Sequence, residues 1–373
     1  MRRMRTIGAA TAVLAAAIAA FLTFGAGAGT ATGPCTKFAA PGGSDSNAGT
    51  EGSPFLTVQR LSDSLSPGDV GCLRAGTYTA DVTITRGGSS TADVTITAYP
   101  DEEATVVGRL RVTRTAPYLT IEGLNLVGLE QARPGNCGGF MCPSPTINAN
   151  DVSLIGNDIT NDHRGICVLL GDSNGVYGRA DDARVIGNRI HDCGRLPATN
   201  HDHGIYAQAT AGSVISDNYI YGNADKGINL WPDADETLIT RNVIAHNGHG
   251  IMFAGSGTQQ SDDNTVTRNV IAHSSIRFNI DSWWDSGVGP RGNVVSDNCL
   301  FNDHIDDWYN WEGGIGDDDP LETGYTVSGT VIPTPDPEFV DPLSGDYRLS
   351  GTSDCLPLFT ATSATALSTD VPD

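Results

Sequence analysis

The sequence has little positive charge, few charged residues of either sign and few aromatic residues. Of its 373 residues, 22 are Lys or Arg against 44 Asp or Glu, and aromatic residues make up only 7%. The formal net charge of −22 repels phosphate, which argues against a nucleic-acid-binding protein. The mixture of Ala, Glu, Lys and Leu that builds long helices and coiled coils is also missing. Because 39% of the residues are hydrophobic, the chain can still fold around a core.

The N-terminal residues have the composition of a targeting segment. A basic stretch, Met1–Arg5, precedes an Ala-rich apolar run at 7–24, and the small residues Ala26, Gly27 and Ala28 follow. This order predicts a secretory signal peptide over residues 1–28, and therefore a secreted protein with no membrane span in the mature chain. The alternative is a transmembrane anchor, since the apolar run approaches the roughly 18 residues that a span needs.

Eight cysteines follow the leader, and no two of them form a CxxC pair. The absence of that spacing argues against a structural zinc site. An even number of cysteines in an exported chain predicts disulfides. Cys137 and Cys142 are placed to close one Gly-rich loop, but the remaining connectivity stays open because eight cysteines allow about a hundred pairings.

An internal repeat organises the chain from residue 152 to 301. Six segments share an apolar pair, one or two polar residues, an Asn and another apolar residue, at intervals of 24 to 31 residues. The aligned asparagines are Asn157, Asn188, Asn218, Asn242, Asn269 and Asn298. Coils this short leave no room for a crossover helix, so the repeat predicts an all-β parallel β-helix. We expect the asparagines to be scaffold, because Asn tolerates left-handed backbone and its amide can bond to the same amide one coil away.

A second pattern alternates with the first: RGICV at 164–168, HGIYA at 203–207, KGINL at 226–230 and HGIMF at 249–253. The two patterns together resemble the right-handed parallel β-helix proteins of the pectate lyase superfamily, over roughly residues 35–350. The resemblance implies one domain at 35–359, which we expect to be monomeric. Its parts are a capping helix at 54–65, repeat coils at 94–313 and a closing segment at 314–359, with a loose tail at 360–373. Ser53 is the expected N-cap of the helix, and Pro54 its first residue.

The residues around the glycine of the second pattern are the candidates for function. Immediately before it stand Arg164, His203, Lys226 and His249. The Ile that follows each glycine is expected to point inward. Because side chains alternate along a strand, the next residues should point outward, and these are Cys167, Tyr206, Asn229 and Met252. The following outward positions are Leu169, Gln208, Trp231 and Ala254. We predict that the four residues before the glycine share one solvent-facing corner, with ~5 Å between the side chains of successive coils. The alternatives are ordinary solvated turn residues or a cleft for an acidic polysaccharide.

Cleavage of a uronate polymer by β-elimination would suit such a corner. The proton beside the carboxylate becomes acidic only when a cation neutralises that carboxylate, and a base must then remove it. We assign Lys226 as the base, with its pKa lowered by His203 and His249, Arg164 as the carboxylate partner and Tyr206 as the proton donor. The expected substrate-binding residues are Gln208, Asn229, Trp231, Trp283 and Trp308. The two late tryptophans belong to a cluster that we favour more as a cover for the C-terminal end of the core.

Short motifs refine this hypothesis and supply its alternatives. NADKGINLW, at 223–231, resembles a calcium-binding stretch of polysaccharide lyase family nine, in which Asp225 matches and Lys226 and Asn229 stand where that family has acids. Calcium is therefore the candidate cofactor, with Asp202 and Asp225 as its ligands. Gly248-His249-Gly250 resembles part of the polygalacturonase signature, which keeps a glycoside hydrolase as a minor alternative. The main alternative is a β-helix that binds glycan or a cell surface without catalysis.

Overall fold

The computed structural model describes residues 34–131, 142–285, 291–301, 314–316, 323–330 and 336–360. The predicted signal peptide lies outside these residues, as does the tail after Thr360. Within the described chain, no helix has the length and apolar character needed to cross a membrane.

The described residues build three parallel sheets whose strands alternate along the chain. The first sheet holds β1 (Lys37–Ala39), β2 (Val70–Leu73), β5 (Val94–Ala98), β8 (Leu119–Glu122), β11 (Val152–Ile155), β14 (Arg184–Ile186), β17 (Val214–Ser216), β20 (Leu238–Thr240), β24 (Thr265–Thr267), β27 (Asn293–Ser296) and β29 (Tyr325–Ser328). The second sheet holds β4 (Val82–Ile84), β7 (Leu110–Val112), β10 (Thr146–Ile147), β13 (Val168–Leu170), β16 (Ile205–Ala211), β19 (Lys226–Asp235), β22 (His249–Ser256) and β26 (Ile280–Trp284), with the short antiparallel β23 (Gln259–Gln260). The third sheet holds β3 (Gly76–Thr79), β6 (Ala104–Val107), β9 (Asn125–Val127), β12 (Asp158–Thr160), β15 (Arg189–His191), β18 (Tyr219–Tyr221), β21 (Val243–Ala245), β25 (Val270–Ala272) and β28 (Cys299–Phe301).

Each coil contributes one strand to each sheet, and the inward side chains stack into continuous apolar columns. In the first sheet, Leu154 pairs with Val185, Val185 with Ile215 and Ile215 with Ile239, and all four are buried. The predicted parallel β-helix is confirmed. The stack begins before the expected start at residue 94, because β2, β3 and β4 already form a coil that lacks the Asn pattern.

The N-terminal helix α1 (Val58–Ser64) is shorter than predicted. Its N-cap is Thr57, whose hydroxyl accepts the N–H of Arg60, so Ser53 as the cap was wrong. The chain at Phe55 is extended instead, because it bridges to Ala39 beside β1. Phe55, Val58, Leu61 and Leu65 are buried in the main core, so the helix and the segment before it pack on the apolar interior.

The C-terminal segment lies against the side of the solenoid. Its hairpin joins β30 (Phe339–Asp341) to β31 (Asp346–Leu349) through a 3-10 turn at Pro342–Ser344, and α2 (Leu356–Thr360) follows. Tyr347 of the hairpin stacks on Tyr221 of the third sheet, with ring centres 4.5 Å apart. The predicted closing strands therefore exist, but they pack on the third sheet because its outer face is apolar at this place.

Three disulfides join Cys35 to Cys72, Cys167 to Cys193 and Cys299 to Cys355. Cys142 is disulfide-bonded as well, and its predicted partner Cys137 lies outside the described residues. The prediction of a disulfide framework is confirmed, which is compatible with an oxidising compartment.

Candidate functional site

A column of glycines turns the chain from the third sheet into the second. A Cβ at Gly227 would lie 2.6 Å from a methyl group of Ile244 in the core, and one at Gly250 would lie 2.5 Å from a methyl group of Ile271. These positions therefore face inward and require glycine. The residues that precede them, Lys226 and His249, are register partners on adjacent strands and point to the outer side.

The expected solvent exposure of this corner is wrong. His203, Lys226 and His249 are only 1–3% exposed. The reason is the segment 200–202, which folds over the column. The Lys226 ammonium donates hydrogen bonds to the amide oxygen of Asn200 and, at 3.5 Å, to its backbone carbonyl. The predicted column is therefore a covered cluster, which we call the basic pocket: His203, Lys226 and His249.

Arg164 does not belong to this pocket. Val168, and not Ile166, is the register partner of Ile205, so the motif at 164–168 is displaced by two residues from the later copies. Arg164 is exposed and lines a separate shallow cavity beside Glu130 and Asp162. Cys167, predicted to point outward, is buried in its disulfide with Cys193. The bond joins the turn before β13 to the turn after β15 in the next coil.

Two side chains missed in the sequence complete the surroundings of the pocket. Arg277 is exposed and interacts electrostatically with Lys226, His249 and Asp281. Asp281 is the register partner of Met252 on the outer face of β26. No repeat motif marks either residue, because the second pattern is not recognisable beyond residue 253.

Burial in the pocket favours the uncharged forms of His203, Lys226 and His249. Burial lowers the pKa of Lys226 to about 8, against the opposing charges of Asp225 and Asp281. Burial, with the positive charges of Lys226 and Arg277, lowers the pKa of His249 to about 3. Burial and the charge of Lys226 also lower the pKa of His203 well below its ordinary value. The prediction that His203 and His249 lower the pKa of Lys226 is wrong, because burial is the main cause and the like charge beside this lysine is that of Arg277.

His203 connects the pocket to an aromatic surface. Its Nε2 accepts a hydrogen bond from Asn229 Nδ2 at 3.0 Å, and its ring meets the edge of Tyr206 at 5.2 Å between centres. Tyr206 in turn stacks on Trp231, with ring centres 6.1 Å apart and 20° between the planes. We call this pair the aromatic platform: Tyr206 and Trp231. Both side chains are half-buried on the outer face of the second sheet, as predicted.

The remaining residues predicted to bind substrate are Gln208, Trp283 and Trp308. Gln208 follows Tyr206 on β16, and its amide oxygen accepts the N–H of Ser173 at 3.3 Å. Trp283 is 52% exposed on β26, so it does not cover the core. Trp284 takes that place, because it packs on the core and its indole N–H donates to Thr323 at 3.0 Å. Trp308 lies outside the described residues.

The two candidate calcium ligands already have partners within the chain. The Asp225 carboxylate accepts the backbone N–H groups of Asn200, His201 and Asp202 at 2.9 to 3.0 Å. The Asp202 carboxylate is bound by the side chains of Arg195 and Thr199. Among the described residues, no three His, Cys, Asp or Glu side chains converge as a metal site would require. This donor set does not fit Ca²⁺, and we derive no step through it.

Comparison with known proteins agrees with this architecture. A family model for the right handed beta helix region matches residues 146–311. Pectate lyase Pel9A superposes with a TM-score of 0.58 at 14% identity, covering 86% of this chain and 91% of that one. A rhamnogalacturonan lyase superposes at 0.52 with 14% identity, over 80% and 87% of the two chains. A complex of XylC with xylose superposes at 0.51 with 10% identity, over 82% and 87%.

No curated protein matches the sequence at a significant level. The evidence for this fold is therefore the structure itself, with its parallel sheets and its ladder of buried asparagines, and the family model that matches residues 146–311. The chain is a right-handed parallel β-helix protein.

Proposed function

We propose that this chain is an exported, polysaccharide-active β-helix protein that binds an acidic polysaccharide across its second sheet and cleaves it by β-elimination. The observation that carries the proposal is the buried Lys226, which shares β19 with Trp231 of the aromatic platform and lies one coil from Tyr206. Solved structures named as pectate and rhamnogalacturonan lyases share the fold, which supports this class of substrate. The three disulfides and the basic-apolar leader support export.

Each step of an elimination has a group near the pocket. Lys226 has a pKa of about 8, so mildly alkaline solution leaves it neutral and able to accept the proton beside the carboxylate. Burial raises the pKa of Tyr206, so this phenol keeps its proton and can donate it to the leaving oxygen. Arg277 replaces Arg164 as the group that neutralises the substrate carboxylate, because it is exposed beside Lys226 and His249.

A second candidate function is binding without cleavage. Asn200 occupies the Lys226 ammonium group through its side chain and backbone oxygens, so a substrate reaches this amine only if Asn200 moves away. The aromatic platform needs no such movement. The contact at Asn200 is therefore the observation that favours a binding protein over a lyase.

The test is a screen of the disulfide-intact chain on polygalacturonate, alginate and glycosaminoglycans, following the absorbance of unsaturated products. We expect product from one of these polymers, at a rate that rises with pH through about 8 as Lys226 loses its proton. Lys226→Gln should lower kcat by about 100-fold or more with little change in affinity, because a general base acts in the transition state. Asn200→Ala should increase kcat, since it releases the amine.

The matched control is Lys37→Gln, which removes a lysine from β1 of the first sheet. It should leave turnover unchanged. Binding without product on every polymer, and its loss in Trp231→Ala, would establish the binding protein instead of the lyase. Neither product nor binding on any of them would reject both.

A further inference from the structure

Within the part of the chain that the structure describes, two arginines at β7 form no ion pair with a carboxylate. Arg109 precedes β7 and Arg111 lies within it, on either side of the buried Leu110. Among the described residues, no carboxylate oxygen lies within 4.0 Å of either guanidinium group. The Nε atoms of both are buried and have no hydrogen-bond partner. Exposed arginines such as Arg164 and Arg184 also lack an ion pair among the described residues, but half-buried ones such as Arg179, which pairs with Asp181 and Asp233, have one.

This arrangement costs free energy. Burial and the adjacent charge of Arg111 lower the pKa of Arg109, and Asp81 is the carboxylate that opposes them. Asp81 uses one oxygen to accept the backbone N–H of Arg109 at 2.8 Å. Like charges in a half-buried place destabilise the fold unless an anion compensates them. In a chain with twice as many acids as bases, a half-buried pair that Asp81 compensates only from beyond ion-pair distance points to an external anion.

A rigid loop fixes the orientation of Arg111. Its guanidinium carbon lies 4.7 Å from the ring centre of Tyr177, which is 54% exposed. The Asp172 carboxylate holds this loop by accepting the N–H groups of Val176 and Tyr177, each at 2.9 Å. The loop ends at Gly178, with φ of +119°, where a Cβ would lie 2.6 Å from a backbone oxygen of Asn148. The Arg111 guanidinium group therefore packs on an aromatic ring whose loop is tied down by hydrogen bonds.

The pair lies on the same outer column as the aromatic platform. Register joins Arg111 to Thr146, Thr146 to Leu169 and Leu169 to Tyr206. Three coil steps of ~4.8 Å separate Arg111 from Tyr206 by about 14 Å. The Tyr177 loop spans part of this distance, because the N–H of Ser173 donates to Gln208 beside the platform. A glycan lying along the column meets both places.

We propose that Arg109, Arg111 and Tyr177 form an anion subsite, which takes a carboxylate of an acidic polysaccharide three coils away from the aromatic platform. The planar fork of arginine fits a carboxylate with two parallel hydrogen bonds. The free face of Tyr177 offers a stacking surface to the sugar ring. This inference rests on the proposed function and extends it, since it makes recognition depend on chain length as well as on charge.

The test is calorimetric binding of the full chain to galacturonate and alginate oligomers, as dimers and octamers. Arg111→Gln should weaken octamer binding by about tenfold or more, because it removes charge-assisted hydrogen bonds. The affinity for dimers should stay unchanged, since a dimer on the platform does not reach Arg111. Arg111→Lys should fall between, because it keeps the charge and loses the fork. The defect should shrink as salt is raised.

Arg184→Gln is the matched control, because Arg184 is exposed on the first sheet and its loss changes net charge equally. If Arg111→Gln lowers the thermal midpoint, Tyr177→Ala tests the subsite from an exposed position. An octamer affinity that survives both substitutions while Trp231→Ala abolishes it overturns the subsite and leaves the proposed function standing. Arg111-dependent binding of heparin octamers in preference to galacturonate and alginate octamers overturns the carboxylate assignment, because the sulfates of heparin are then the preferred anions. A wild-type chain that binds none of these oligomers overturns both proposals.

Discussion

At the scale of single residues, glycines determine which way the side chains of the basic pocket point. Gly227 and Gly250 take the inward position at the corner, and this sends Lys226 and His249 to the outer side. Asp225 then folds Asn200 over them by accepting backbone N–H groups. A basic pocket thus forms in an acidic protein, and burial keeps its two histidines neutral.

The buried His249 predicts a specific loss of stability in acid. Its pKa is about 3 in the folded chain and about 6.5 when unfolded, so the unfolded chain takes up the proton first. The contribution of the uncharged His249 to the free energy of unfolding is complete above pH 6.5, and it is lost as the pH falls from 6.5 toward 3. By pH 4 the loss amounts to about 3 kcal/mol, at ~1.4 kcal/mol per pKa unit. His203 adds a loss of the same sign.

Urea unfolding between pH 7 and pH 4 measures this effect. His249→Gln should be less sensitive to acid than the wild type, whatever its stability at pH 7. His201→Gln is the control, because His201 is exposed in the neighbouring loop. Parallel pH profiles for the wild type and His249→Gln would show that burial of this imidazole has no such consequence.

At the scale of elements, a ladder of amides joins the turns between the first and third sheets. The Asn218 side chain accepts both the backbone and side-chain N–H groups of Asn188, at 2.8 and 3.0 Å. It donates to the Val185 carbonyl at 2.8 Å and to the Asn242 amide oxygen at 2.9 Å. The predicted amide ladder is confirmed. Its left-handed residue is not the asparagine but the one before it, such as Asp217 with φ of +59°.

Removal of one rung should be costly. Asn218→Ala removes the partner of three buried groups, namely the Asn188 backbone N–H, one Asn188 side-chain N–H and the Val185 carbonyl, while the Asn242 oxygen keeps the backbone N–H of residue 218. Each unsatisfied group costs about 1–3 kcal/mol. We expect the free energy of unfolding to fall by about 3 kcal/mol or more, measured with urea. Asn125→Ala is the matched control, because Asn125 is half-buried and has one long hydrogen bond of 3.4 Å, to Thr105. Equal losses in the two variants would show that the ladder adds nothing beyond an ordinary amide.

The sequence predicted the stacking well and the site only in part, for a physical reason. The Asn repeat marks a turn that every coil must make, so its period reports the fold directly. The pocket depends instead on insertions that differ between coils. The segment at 200–202 covers Lys226, and the motif of Arg164 is displaced by two residues from the register of the later copies. Neither effect follows from a period, and so the burial and the partners of the pocket residues were not predicted, whereas the outward direction of Tyr206 and Trp231 was.

At the scale of the whole molecule, the solenoid carries different surfaces on its sheets. The second sheet presents the basic pocket, the aromatic platform and the arginine pair along one side. The third sheet is covered by the C-terminal hairpin, through a small apolar cluster that includes Tyr221 and Tyr347. Each face is thus decorated independently, since the stack itself needs only its inward columns and its turns.

The independence of the C-terminal hairpin gives the last prediction. A disulfide ties Cys355 to Cys299 of β28, and the hairpin otherwise rests on the cluster around Tyr347. Replacing both cysteines by serine should loosen 336–360 while the coils beneath keep their strand pairing. Limited proteolysis with mass spectrometry should show early cleavage in this segment and an intact remainder. The control is the Cys35/Cys72 double serine variant, which loosens the opposite end and should keep the hairpin protected. A hairpin that stays resistant without its disulfide, or a chain that is digested as a whole, would contradict this division of the molecule.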